Sequence, residues 1–157
     1  MMLQIEPGIT QTDITQTDLQ RLYSDPYIQR IGWDEVPAQP IVHPHVQYLS
    51  ALVYGDFAGA FMAIRFSDRE IEMHSLLRKK YLPESRELAG LALDWAFSQS
   101  LVHRVTAYIT GDLVAAMNFC LKLGFRFEGI RREACIKNGV PVDVHIFGIL
   151  KNEWVRS

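Results

Sequence analysis

Residues 69–110 read REIEMHSLLRKKYLPESRELAGLALDWAFSQSLVHRVTAYIT, and the period of their apolar residues changes twice. At the start, Ile71, Met73, Ser75 and Leu77 alternate with Glu72, His74 and Leu76, the two-residue period of a strand. Past Glu84 the apolar positions become Leu88, Leu91, Ala92, Trp95 and Ala96, which recur at helical spacing. RVTAYIT, residues 104–110, returns to strand character. Strand, helix and strand in this order predict one parallel crossover, because a helix of that length carries the chain back to the sheet's starting edge.

Outward from this unit the connections shorten. VQYLSALVYG (46–55) and FAGAFMAIRF (57–66) are strand-like runs bounded by Gly55-Asp56 and Ser67-Asp68, which predicts an antiparallel meander into the crossover. Further upstream, residues 1–6 read as a short strand ended by Pro7-Gly8. Thr15 and Asp18 resemble a helix-capping arrangement ahead of the stripe Leu19, Leu22 and Tyr23. Asp25-Pro26 interrupts that helix, and a second one through Tyr27, Ile28 and Ile31 ends at Gly32. Residues 33–46 hold Pro37, Pro40 and Pro44 and read as a loop, with Trp33 either anchoring it or lining a groove. Downstream, Asp112 is placed to cap the helix LVAAMNFCLKL (113–123), which Gly124 ends in a left-handed cap. RFEGIRREACI (126–136) and VPVDVHIFGIL (140–150) are joined through Lys137-Asn138-Gly139, a strong hairpin signal. The class is α/β (α+β): a mixed, mostly antiparallel sheet of six or seven strands, flanked by about four helices, with one parallel pair.

At 157 residues the chain is expected to be one domain, 1–157, large enough for its own core. A formal net charge of −2 argues against a nucleic-acid partner. No apolar run reaches membrane-spanning length, and the first residues carry no signal-peptide pattern, so a cytoplasmic location is expected. Cys120 and Cys135 are read as buried free thiols. His43-Pro44-His45 lacks further ligands and is not read as a metal site. His103 reads as a strand-boundary residue and His145 as a surface or groove residue.

The C-terminal third carries a resemblance. A helix ending in KLGF, then FEGIRRE, KNG, Asp143, Phe147 and a closing LKNEW resemble the GNAT N-acetyltransferase superfamily, nearest its ribosomal-protein N-terminal acetyltransferase branch. The matching residues are Gly124, Phe125, Glu128, Gly129, Asn138, Gly139, Asp143, Glu153 and Trp154. The resemblance implies that acetyl-CoA lies where the two parallel strands splay, along the backbone of Ser75, Leu76 and Leu77. It also implies a diphosphate seat of the form Arg/Gln-x-x-Gly-x-Gly/Ala at the next helix N-terminus. Those positions fall on Lys80, Pro83 and Ser85, with Arg86 adjacent, so the glycines are gone and the motif is eroded. Glycine lets main-chain N–H groups approach phosphate, whereas Pro83 has none to offer. Glu84 and Glu87 add negative charge at the positive end of the helix. Leu113 stands where the family often has an Asn, and Cys120 where many members have the Tyr that protonates the departing thiolate.

Acyl transfer to an amine needs a base, and Glu72 and His74, two apart on one strand face, are the candidates. The implied function is acetyl-CoA-dependent N-acetylation of a primary amine, on a small molecule or a protein N-terminus. The other reading is a binding or assembly module that has lost the cofactor. Its partners would be a second copy, as a homodimer, or a phage-particle or other protein.

Overall fold

The computed structural model describes residues 3–8, 13–32, 34 and 43–154. Among the described residues, seven strands form one sheet: β1 (Leu3–Gly8), β2 (Val46–Val53), β3 (Asp56–Arg65), β4 (Glu70–Leu77), β5 (Arg104–Thr110), β6 (Arg126–Lys137) and β7 (Val140–Leu150). The α-helices described with them are α1 (Asp13–Tyr23), α2 (Pro26–Ile31), α3 (Ser85–Ser98) and α4 (Val114–Leu123). The strand order is β1-β2-β3-β4-β5-β7-β6. Every neighbouring pair is antiparallel except β4 and β5, which α3 connects. This is the mixed sheet with a single parallel crossover that the change of period predicts.

The alternation along β4 divides the molecule into two layers. Ile71, Val105, Ala107 and Ile109 face Leu93, Ala96 and Phe97 of α3 and Cys120 of α4. Phe61 and Leu77 pack under Leu88, Ala89 and Ala92 on the same side. On the opposite side, α1 and α2 bring Leu19, Leu22 and Ile28 against Tyr48 and Met62, with Leu76 at the margin. Each fully buried large apolar side chain contributes about 1.5–3 kcal/mol. Both sheet faces are therefore covered, and β4 and β5 run through the middle.

Turn chemistry follows the sequence closely at three places. Asn138 and Gly139 have φ of 52° and 76°, the doubly positive pair of a tight hairpin. Tyr54 and Gly55, with φ of 51° and 84°, make the same turn between β2 and β3. Gly124 closes α4 at φ 105°. Asp25 also behaves as its position suggests, accepting the Tyr27 N–H at 2.8 Å just ahead of Pro26.

Four local expectations are corrected. β1 runs on through Pro7 and Gly8, which a sheet edge tolerates because proline there forfeits no interior ladder bond. α1 begins at Asp13, so Thr15 lies inside the helix. Asp112 does not cap α4; Leu113 holds that position without a side-chain bond, and Asp112 accepts the Lys137 ammonium at 2.6 Å instead. The stretch after β4 is a 3-10 helix over Lys79–Glu84 running straight into α3. Trp33, Pro37 and Pro40 lie outside the described residues. Cys120 and Cys135 are buried and free, and His145 is half-buried beside the Phe127 ring. The described residues hold no group of three metal-ligating side chains and no helix long and apolar enough to cross a membrane.

Candidate active site

β4 and β5 are paired over a short stretch only. Their register covers Glu70–Arg104, Ile71–Val105 and Glu72–Thr106 and then stops. β4 stays with β3 as far as Leu77, and β5 stays with β7 as far as Thr110. Each strand keeps its outer partner while sheet twist carries the two apart, so a gap opens beyond Glu72. The closed end is pinned by a polar network. Thr106 donates to Glu70 at 2.6 Å, Arg104 Nε donates to Thr106 at 2.9 Å, and Arg104 reaches Glu128 on β6 with both terminal nitrogens.

The main chain on both sides of the gap is directed into it. Phe66 N–H donates to Glu70 O and Arg78 N–H to Ala58 O. The even-numbered residues of β4 therefore turn their peptide groups toward β3. Met73, Ser75 and Leu77 turn theirs toward β5, where the ladder has ended. On β5, Lys151 N–H donates to His103 O and Gly111 N–H to Asp143 O. The odd residues thus serve β7, and Tyr108 faces the gap. Of the residues expected from the sequence to flank the acyl donor, Ser75 and Leu77 turn their peptide groups into the gap, while Leu76 turns its toward β3.

A cavity of about 740 Å³ occupies the gap and opens to both sides of the sheet. Glu72, His74, Ser75, Leu76 and Cys120 all line it. Lys80, Ser85 and Arg86 do not, and Leu77 is buried in the core beside Tyr81 and Leu88. The lining ends at Leu76 on β4 and resumes at Ala89 on α3.

Glu72 and His74 are joined by a hydrogen bond between the carboxylate and His74 Nε2, both side chains half-buried. In the neutral imidazole, Nε2 must carry the proton to make that bond, which leaves Nδ1 with the free lone pair. Cys120 is less suited to its expected role. Burial pushes its thiol up to about 12, so giving a proton to a thiolate of ordinary pKa, about 8.5, is uphill.

Among the cavity residues that the sequence does not single out are Tyr108, Asp34 and Lys137. Asp34 accepts the N–H groups of Asn138 and Gly139 at 2.7 and 2.8 Å, tying the segment after α2 to the β6–β7 turn. No local pattern could reveal a contact across more than a hundred residues. Tyr108 was readable as a strand residue, and the end of the β4–β5 ladder is what brings it to the cavity.

The junction between β4 and α3 is a poor main-chain seat for phosphate. Tyr81 N–H donates to Arg78 O and Ser85 N–H to Leu82 O, and Pro83 has no N–H. Arg78 donates to Phe57 O at 3.0 Å and lies over the Tyr81 ring, where Lys80 also sits. One Glu84 carboxylate oxygen is buried with no hydrogen-bond partner among the described residues. The gap itself suits a long, amide-bearing thioester arm, since open strand main chain flanks an apolar floor. The exposed side-chain cations beside this junction are Lys79, Lys80 and Arg86.

The architecture has close counterparts among solved structures. Spermidine N-acetyltransferase from Vibrio cholerae, in complex with CoA and spermine, superposes with TM-score 0.84 over 98% of each chain at 16% identity. The fold is that of the GNAT acetyltransferases. A probable GNAT-family acetyltransferase from Chromobacterium violaceum gives TM-score 0.76 over 97% of this chain and 89% of its own, at 18% identity. A GCN5-related N-acetyltransferase from Brucella melitensis gives 0.75 over 97% and 77%, at 20% identity. In sequence, the uncharacterized N-acetyltransferase YoaA of Bacillus subtilis is 31% identical over 65 residues. That match spans 41% of this chain and 37% of the relative. No family model matches the chain. In a GNAT fold, the gap between β4 and β5 is the feature the sequence resemblance associates with the acyl donor.

Proposed function

We propose that this chain transfers an acetyl group from acetyl-CoA to a primary amine. The observation that carries the reading is the Glu72–His74 pair, set on the α1/α2 face at the mouth of the gap between β4 and β5. Acetyl-CoA would supply an activated thioester. Its arm would lie along Met73, Ser75 and Leu77, and Lys79, Lys80 and Arg86 would meet its phosphates.

His74 Nδ1 takes the proton from the acceptor ammonium, and Glu72 holds the imidazole in the tautomer that can accept it. As charge gathers on the carbonyl oxygen, the Ser75 N–H is the donor aimed at it. Tyr108, in the same lining, replaces Cys120 as the side chain able to return a proton to the leaving sulfur. The test is direct: incubate the protein with acetyl-CoA and a panel of primary amines, then follow thiol release and acetylated product by mass spectrometry. Product with wild-type protein and loss of at least a hundredfold in His74→Ala support the reading. No product with any amine opposes it.

The occupied N–H groups of the 3-10 helix favour a second reading, a binding module without the donor. It would bind neither CoA nor acetyl-CoA. The similar proteins above are acetyltransferases and lend nothing to a phage-particle partner.

A further inference from the structure

The half of the cavity on the α1/α2 side is where an acceptor must enter, since His74 faces it. Its walls are Tyr23, Ile28, Ile31, Met62, Ile64 and Leu76. The Tyr23 hydroxyl is engaged by the Tyr48 hydroxyl at 3.2 Å and the Met62 sulfur at 3.9 Å, so it offers this space little polarity. Among the described residues, the carboxylates of the lining are Asp34 and Glu72. Both are committed: Asp34 to two main-chain N–H groups of the hairpin turn and Glu72 to His74. A buried cation, Lys137, lines the same space and is held by Asp112 at 2.6 Å.

An amine bearing one charge can use this geometry. Its nitrogen loses a proton to His74, and the rest of it replaces water against apolar walls, which is favourable in proportion to the area covered. An amine with a second or third ammonium fits it less well. Each extra charge would leave water for a largely apolar wall whose described carboxylates, Asp34 and Glu72, already accept other hydrogen bonds.

Building on the acetyl-transfer reading, we propose that the acceptor is a primary monoamine on an aromatic or branched apolar body, and that polyamines are rejected. The specificity thus differs from that named for the Vibrio cholerae fold neighbour, a spermidine N-acetyltransferase. Charge count and apolar wall decide the choice, because the fold is shared.

Two measurements on the full chain test this. The first is ligand-observed NMR without acetyl-CoA, comparing phenethylamine with spermidine. Phenethylamine is expected to bind at least tenfold more tightly. Equal or tighter spermidine binding would overturn the proposal. The second is kcat/KM with acetyl-CoA, where the same order and at least the same ratio are expected, and a preference for spermidine would again overturn it. In Ile31→Asp and Ile64→Glu, each of which adds a carboxylate to the wall, the ratio should shift toward spermidine by at least tenfold. An unchanged ratio in whichever variant folds would count against the wall as the cause. If no amine of the panel is acetylated, the acetyl-transfer reading falls by itself, while the NMR comparison still judges the acceptor preference.

Discussion

His74 and Glu72 are two residues apart, so strand alternation alone puts them on one side of the sheet, and a hydrogen bond joins them. Replacing Glu72 with Gln keeps a partner for Nε2 and removes the charge that stabilises the imidazolium. Glu72→Gln is expected to lower kcat by about tenfold to a hundredfold, and His74→Ala by a hundredfold or more, with acetyl-CoA affinity unchanged in both. Steady-state kinetics beside a binding titration would separate the two effects. Asp34 acts differently, as a tether. Asp34→Ala leaves the Asn138 and Gly139 N–H groups without their charged acceptor. It should cost about 1–3 kcal/mol in urea unfolding, the range for hydrogen bonds to a charged group. The pair on one strand was legible in the sequence. The tether was not, because nothing near Asp34 records which distant turn it meets.

At the scale of elements, the decisive event is the end of one ladder. The sequence predicts β4, α3 and β5 from their periods, and even the parallel pairing from their order. Where pairing stops is a competition between β3 and β7 for the outer edges of the two strands, and no single segment encodes that outcome. Gly59 on β3 is part of it. It has φ 146°, and a Cβ built there would lie 2.3 Å from the Leu76 carbonyl oxygen. Gly59→Ala should therefore lower stability by roughly 1–3 kcal/mol and displace the β4 segment that ends in Ser75, Leu76 and Leu77. Loss of Tm without loss of acetyl-CoA affinity would detach this glycine from the site. The junction that follows shows a different limit. Proline and two glutamates in the sequence show that the glycine-type phosphate seat is gone, but not that a 3-10 helix there engages the Tyr81 and Ser85 N–H groups. Pro83→Gly should free that turn and tighten acetyl-CoA binding; a weaker complex would argue that the diphosphate lies elsewhere.

For the molecule as a whole, electrostatics sets the acid limit. Hydrogen bonds from Arg104 hold the Glu128 carboxyl below its ordinary value against a smaller opposing effect of burial. For Asp112, burial pushes the carboxyl up, and the hydrogen bond and charge of Lys137 help to outweigh it, so it too ends low. The unfolded chain therefore binds more protons than the folded one in mildly acid solution. This contribution is complete above the ordinary carboxyl values of about 4 and is lost as pH falls through the lower folded values. Tm should fall between about pH 5 and pH 3, and Glu128→Gln should flatten that slope. At pH 7 the same variant should cost only about 0.2–1 kcal/mol, because the pair is partly exposed.

On the proposed function, the gap between β4 and β5 holds an acyl thioester on its strand main chain and apolar floor, even though the neighbouring helix start lacks the glycines of the family motif. Thermal unfolding of the full chain in rising acetyl-CoA tests this most directly. At a hundred times the dissociation constant, linkage stabilises the folded state by about 2.7 kcal/mol, which for a chain of this length corresponds to a rise in Tm of roughly 5–10 °C. A rise of that size at that concentration, growing with the logarithm of acetyl-CoA concentration and shared by His74→Ala, is the predicted result; a Tm that stays constant up to millimolar acetyl-CoA would contradict it.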